Sequence, residues 1–116
     1  MATVDPRIAA TIVQIVRWLV AGDFSAIEKY THGVRLSASL LRQAVLDYGR
    51  TLVMPPASTL AQLDIIKVDG SNPLTWSVRV DLWTLEEGRS DLSLECTLID
   101  GPGAMLTVEI DNLHVA

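Results

Sequence analysis

The chain has 116 residues, 49% of them hydrophobic, and its nine basic and 14 acidic residues give a net charge of −5 at pH 7. This length suits one domain with a buried core, and the high apolar fraction predicts apolar surface for a partner or a second copy. The acidic charge argues against nucleic acid and membranes as partners, because both require a basic patch, and it favours a basic protein. A single cysteine, Cys96, excludes an intramolecular disulfide and predicts a cytoplasmic protein.

The first half of the chain, residues 1–50, has the pattern of helices. Asp5 precedes a proline and can cap a first helix, which Gly22 ends. A second helix begins after Asp23 and runs to about Tyr30. We expect the apolar stripe of the first helix to lie in the main core. The stripe consists of Ile8, Ile12, Ile15 and Leu19, and Val13, Val16 and Val20 widen it.

A third helix and a connector complete this half of the chain. Ser37 caps the helix and Gly49 ends it. In the connector, residues 51–61, Pro55-Pro56 excludes a helix or a central strand at that point. The longest apolar stretch, residues 8–21, is too short for a membrane span, which needs roughly 20 residues.

The second half, residues 62–116, alternates between apolar and polar residues as strands do. A short strand at residues 63–68 precedes a turn signal at 69–73. Three further strands are predicted at residues 75–84, 92–98 and 106–111. The whole chain, 1–116, is therefore predicted to form one α+β domain. Two or three N-terminal helices pack on one face of a four-stranded, mainly antiparallel meander sheet.

The stretch LWTLEEGRSDLSLE, residues 82–95, joins two of these strands and decides which residues face each other. A three-residue loop at 86–88 keeps the apolar residues of both strands on one face, with Gly88 in the left-handed conformation that such a loop needs. The same register puts Arg79 opposite Glu95 as an ion pair. The other predicted pairs are Leu82–Leu92, Val80–Leu94 and Val78–Cys96.

A loop at residues 101–103 sets the register of the last hairpin in the same way. The predicted pairs are Leu98–Leu106, Cys96–Val108, Glu95–Glu109 and Ser93–Asp111. This register gathers acids on the polar face of the sheet, with Arg79 as the nearby base. The acids are Asp81, Glu95, Glu109 and Asp111. They form either an acidic docking surface or a solvated outer face, and no spacing preorganises them as metal ligands.

The remaining candidate residues divide between the core and the surface. Trp76 is predicted in the core, whereas Trp83, on the polar face, is either covered by the chain's own ends or an anchor for a partner. Neither His32 nor His114 has a zinc-ligand partner at a suitable spacing. Cys96 is predicted to be a buried thiol rather than a nucleophile. We expect no metal, no cofactor and no catalytic residue.

The hairpin stretch, together with YGRTLVMPP (48–56) and VEIDNLHV (108–115), resembles a family of small uncharacterised bacterial proteins. These have a helical first half, an LWT-x-EEGRSDL hairpin and an acid-rich last strand that carries LHV. The resemblance implies the shape of nearly the whole chain and no catalytic residue. The order of helices followed by a meander is also similar to the cone-shaped fold of nuclear transport factor 2 and its ketosteroid-isomerase relatives.

Two functions follow as hypotheses. The first is a non-enzymatic protein-binding protein, namely a bacterial immunity protein that neutralises a cognate, basic toxin domain, with a homodimer as a further expectation. Its predicted partner-binding residues are Trp83, Glu86, Glu87, Asp81, Glu95 and Glu109. The second is a small-molecule-binding protein or an isomerase-like enzyme of the cone fold. Its pocket between helices and sheet would be lined by Tyr30, Tyr48 or Trp76.

Overall fold

The computed structural model describes residues 5–115, and its first part consists of three helices. They are α1 (Pro6–Ala21), α2 (Phe24–Thr31) and α3 (Ala38–Tyr48). A side chain caps each of them by accepting a hydrogen bond from a backbone N–H of the first turn. The capping residues are Asp5, Asp23 and Ser37. Gly22 and Gly49 adopt the left-handed conformation that ends α1 and α3, so the predicted helix boundaries are confirmed.

The second part is an antiparallel sheet of five strands, in which β1 and β2 both pair with β3 and the order continues to β4 and β5. The elements are β1 (Leu52–Val53), the short helix α4 (Ala57–Leu60), β2 (Asp64–Lys67), β3 (Thr75–Thr84), β4 (Gly88–Ile99) and β5 (Thr107–Val115). The predicted α+β class is confirmed. The sheet has one strand more than expected, because β1 forms just before Pro55-Pro56. The short helix α4 begins directly after these two prolines.

The register between β3 and β4 agrees with the prediction over most of its length. Arg79 lies opposite Glu95, and the pairs from Thr75 to Asp81 keep this register. The register shifts beyond Asp81: Asp81 pairs with Ser93, but Trp83, two residues on, pairs with Arg89, four residues back along β4. The predicted Leu82–Leu92 pair therefore does not form. The prediction of the loop was also wrong by one position: the loop is residues 85–87, and Gly88, which is left-handed as predicted, closes it opposite Thr84.

The predicted register between β4 and β5 was wrong by two residues. Leu98 lies opposite Val108 rather than Leu106, because both backbone groups of Leu106 bond to the helices. Its N–H donates to Thr11 Oγ1, 3.2 Å away, and its carbonyl accepts from the Tyr30 hydroxyl. A further shift between Glu95 and Cys96 makes Asp111 an extra residue in β5. The observed pairs are Thr97–Glu109, Cys96–Ile110, Glu95–Asn112 and Ser93–His114.

The main core lies between the helices and the apolar face of the sheet. Ile12, Val16 and Leu19 are buried there, as predicted, and so are Trp76 and Cys96. The other large side chains that are fully buried are Ile8, Ile15, Ile27, Leu41, Leu82, Leu92, Leu94, Leu98, Leu106 and Ile110. None of the helices within residues 5–115 is long and apolar enough to cross a membrane.

We predict that Leu19→Ala lowers the free energy of unfolding by about 2–5 kcal/mol, because it leaves a cavity where a 2% exposed side chain now packs. Denaturant unfolding followed by circular dichroism measures the change. Leu40→Ala is the matched control, since Leu40 is also helical but 54% exposed, and it should change stability by less than about 0.5 kcal/mol. Equal stability of the two variants would show that α1 does not contribute its apolar stripe to the core.

Candidate functional site

The side of the sheet that faces away from the core carries most of the predicted partner-binding residues. We call it the open face, and define it by the polar side chains of β3, β4 and β5 that alternate with the buried ones. Asp81, Glu95 and Glu109 lie on it at intermediate exposure, and so does Trp83. The two hairpin acids lie apart from these, in the loop of residues 85–87.

The two hairpin acids are engaged within the chain. Glu86 accepts hydrogen bonds from the Thr51 backbone N–H at 2.8 Å and from the Thr51 hydroxyl at 2.9 Å. Glu87 accepts from the Tyr48 hydroxyl at 2.9 Å and from Thr84 Oγ1 at 3.1 Å. These bonds attach the hairpin to the end of α3 and the start of β1. Glu86 and Glu87, which were predicted to contact a partner, therefore form hydrogen bonds within the chain.

Asp81 is the centre of a small network of charged and polar groups. It accepts a hydrogen bond from Ser93 Oγ at 2.9 Å and lies 3.3 Å from Arg89 Nε. Arg79 also turns towards it: its Nη2 is 3.3 Å from Ser93 Oγ and 3.9 Å from Asp81 Oδ1. The predicted ion pair between Arg79 and Glu95 is therefore not formed, although the two residues are directly opposite each other.

The acids nearer β5 have other partners. Glu95 contacts Nε2 of His114, which follows the extra residue in β5. Asp111 accepts a hydrogen bond from Thr97 Oγ1 at 2.6 Å. Arg35, from the loop between α2 and α3, reaches both Glu109, at 3.2 Å, and Asp111, at 2.9 Å. Each of the four predicted face acids thus has a partner, so the open face is a surface of mixed charge.

Neither Arg35 nor His114 was expected in this network, since both are brought there by the tertiary structure. Arg35 has a φ of 70°, an unusual left-handed conformation for a residue other than glycine. No periodicity in the sequence marks it. His114 reaches Glu95 only because Asp111 is inserted in β5 and changes the pairing after it.

Trp83 is half-buried. It is therefore neither fully covered nor fully exposed as an anchor for a partner, the two alternatives that the sequence left open. It lies opposite Val53 in β1 and opposite Arg89 in β4, and its ring lies beside Gly88. Its indole N–H is buried and has no hydrogen-bond acceptor among residues 5–115. The described residues around Trp83 belong to the sheet, the hairpin and the segment from α4 to β2, whereas residues 1–4 and 116 lie outside the description.

A break in the edge of the sheet lies next to Trp83. On this edge β1 pairs with β3 at Trp83–Thr84 and β2 pairs with it at Trp76–Arg79. On this edge no strand residue from the described part of the chain lies opposite residues 80–82, because the segment between β1 and β2 leaves the sheet there. We call this break the edge gap.

The backbone of Asp81 points into the edge gap. The Val68 N–H donates a hydrogen bond to the Thr75 carbonyl, so Thr75 directs its backbone groups towards the edge that β1 and β2 share. Every second residue of a strand points the same way, and Asp81 therefore does so too. A cleft of about 430 Å³ occupies the gap. Its walls include Gln62, Asp64, Arg79, Asp81, Trp83 and Arg89. The edge gap therefore combines an unpaired strand edge, an aromatic ring and charges of both signs.

The residues named for a small-molecule pocket are engaged in the fold. The Tyr30 hydroxyl donates to the Leu106 carbonyl, the Tyr48 hydroxyl donates to Glu87, and Trp76 is only 8% exposed in the core. No group of three His, Cys, Asp or Glu residues in the described part of the chain could hold a metal ion.

Cys96 lies wholly inside the core. Burial, helped by the nearby charges of Asp111 and Glu95, raises the pKa of its thiol far above the usual range. A thiol in this environment packs as an apolar group and is not activated as a nucleophile.

The comparisons with known proteins identify a family. Residues 16–116 match the domain of unknown function DUF7668, and the chain belongs to this family. No curated protein and no solved structure matches the chain. The membership agrees with the resemblance to a family without an assigned activity, and it adds no catalytic residue.

The bonds from Thr51 predict a specific pH dependence. They lower the pKa of Glu86 below its ordinary value, the backbone N–H having the larger effect and the hydroxyl the next. The stability that Glu86 contributes is therefore present above the ordinary pKa of glutamate and lost as the pH falls through the lower, folded-state pKa.

A carbon-13 titration of the Glu86 carboxyl measures this pKa directly. Thr51→Val is the informative variant, because it removes the hydroxyl and keeps the backbone N–H. The pKa of Glu86 should then rise only part of the way to its ordinary value. An ordinary pKa in the unmodified protein would show that the hairpin is not attached through Glu86.

Burial of Cys96 predicts that a thiol reagent such as DTNB modifies the native protein only as fast as the core opens. In guanidinium chloride the same thiol should react at once. Ser39→Cys, which adds a thiol at an exposed position of α3, provides the control for fast reaction in the folded state. Rapid modification of Cys96 without denaturant would contradict the buried position.

Proposed function

We propose that this protein binds a second protein and that the edge gap is where it does so. The observation that carries the proposal is the backbone of Asp81, which pairs with Ser93 on one side but faces the gap on the other, where no strand within residues 5–115 lies opposite it. Unpaired strand edges readily accept a further extended segment, because its backbone supplies the missing hydrogen-bond partners. A short extended segment of the partner would lie between β1 and β2 and continue the sheet edge.

The side chains around the edge gap suit such a segment. Trp83 offers a large ring at a partly desolvated position, the kind of residue that contributes most to protein–protein affinity. Arg79 and Arg89, which are 47% and 71% exposed, line the same cleft as Asp64 and Asp81. Charges of both signs at fixed positions select the direction and the register of the incoming segment.

The class of partner that we propose is a basic toxin domain, so that the protein would act in the cytoplasm as an immunity protein. The net charge of −5 supports a basic partner. Glu86, Glu87 and Asp91 remain exposed at the hairpin end although the first two form internal hydrogen bonds. At that position they would increase the rate of association and its dependence on salt, whereas Trp83 would determine the affinity.

The test uses the product of the neighbouring gene as the candidate partner in isothermal titration calorimetry. Trp83→Ala should weaken binding by roughly thirtyfold or more, because it removes the central ring. Asp91→Asn is the control at the rim of the same hairpin and should mainly lower the association rate and its dependence on salt. Denaturant unfolding of each variant separates a loss of contact from a loss of fold.

Two results would overturn the proposal. One is wild-type affinity for a folded Trp83→Ala variant, which would remove the edge gap from the interface. The other is the absence of binding together with a stable dimer in light scattering, which would assign the surface to a second copy of the chain.

A further inference from the structure

An apolar groove lies at one end of the helical layer, away from the open face. It is bordered by the end of α1, the start of α2, one side of α3 and β1, and its volume is about 540 Å³. Most of its wall is apolar. The apolar side chains that line it include Leu19, Val20, Phe24, Val45, Leu46 and Leu52. This volume lies within the range of roughly 300–1,000 Å³ found for small-molecule sites, which are mostly apolar with a few polar groups.

Arg42 is the one charged side chain among the lining residues of this groove. It is exposed, and no carboxylate of residues 5–115 lies within salt-bridge distance of it. Arg17 and Arg50 likewise form no salt bridge with residues 5–115, but neither of them lines the groove. Arg42 therefore supplies a positive charge without an ion-pair partner beside the apolar groove.

We infer that the groove binds a linear aliphatic carboxylate, with the hydrocarbon chain along the apolar wall and the carboxylate at Arg42. A guanidinium group binds a carboxylate through two parallel hydrogen bonds, and the apolar wall removes the chain from water. A neutral ligand would not use the charge of Arg42, and a polar anion would leave the apolar wall unused. The inference does not depend on the edge gap, whose cleft shares no lining residue with the groove.

Titration of the full chain with octanoate and decanoate, below their micelle concentrations, tests the site by calorimetry. Each added methylene should tighten binding about fourfold, equivalent to ~0.8 kcal/mol of burial. Amide resonances of the groove residues, such as Val20 and Leu46, should shift during the titration. Decanol, which has the same chain and no charge, should bind more weakly than decanoate.

Two arginine variants decide the role of the charge. Arg42→Met should weaken decanoate by roughly tenfold and leave decanol unchanged, because it removes only the charged hydrogen bonds. Arg17→Met is the matched control, since Arg17 is an exposed helical arginine outside the groove lining. It should leave both affinities unchanged.

The possible results divide cleanly. Saturable one-to-one binding that depends on chain length, on the carboxylate and on Arg42 supports the site. Equal affinities for decanoate and decanol, an unaffected Arg42→Met variant, or shifts confined to residues outside the groove would overturn it. So would the absence of saturable binding at millimolar ligand.

Discussion

The burial of one face of the sheet beneath the helices is the constraint on which the rest of the structure depends. Ile8, Ile12 and Ile15 of α1 are fully buried, as are Leu94 and Leu98 of β4. Because side chains alternate along a strand, burial of one face fixes which residues remain on the other. The register shifts in both hairpins change the partners of individual residues, yet they leave the apolar residues in the core and the charged ones outside.

The second constraint is the way in which two short strands share one edge of β3. Pro55 and Pro56 have no backbone N–H to donate to β3, so the pairing ends after β1 and the chain returns to this edge as β2. The edge gap is the direct consequence. The hairpin beside it stays in place because Glu86 and Glu87 bond to Thr51, Thr84 and Tyr48. A rigid hairpin keeps the ring of Trp83 at the wall of the cleft.

We propose two separate kinds of recognition, one at the edge gap and one at the apolar groove. The first presents backbone groups and charges of both signs on the open side of the sheet, which suits an extended peptide segment. The second presents hydrocarbon and one unpaired guanidinium at the end of the helical layer, which suits an apolar acid. Both arise around β1, the two-residue strand that the chain forms between α3 and the prolines.

The sequence by itself determined what depends on neighbouring residues: the helix ends, the α+β order, the two faces of each strand and the left-handed Gly88. Caps and alternation act over a few residues, so they can be read locally. Of the predicted site, the positions of Asp81, Glu95, Glu109 and Trp83 on the open face followed from this alternation. The ion partners did not. Arg35 reaches Glu109 across 74 residues, and Leu106 leaves the ladder to bond with Thr11 and Tyr30. Only the tertiary structure decides such contacts, because each depends on how separate elements pack against one another.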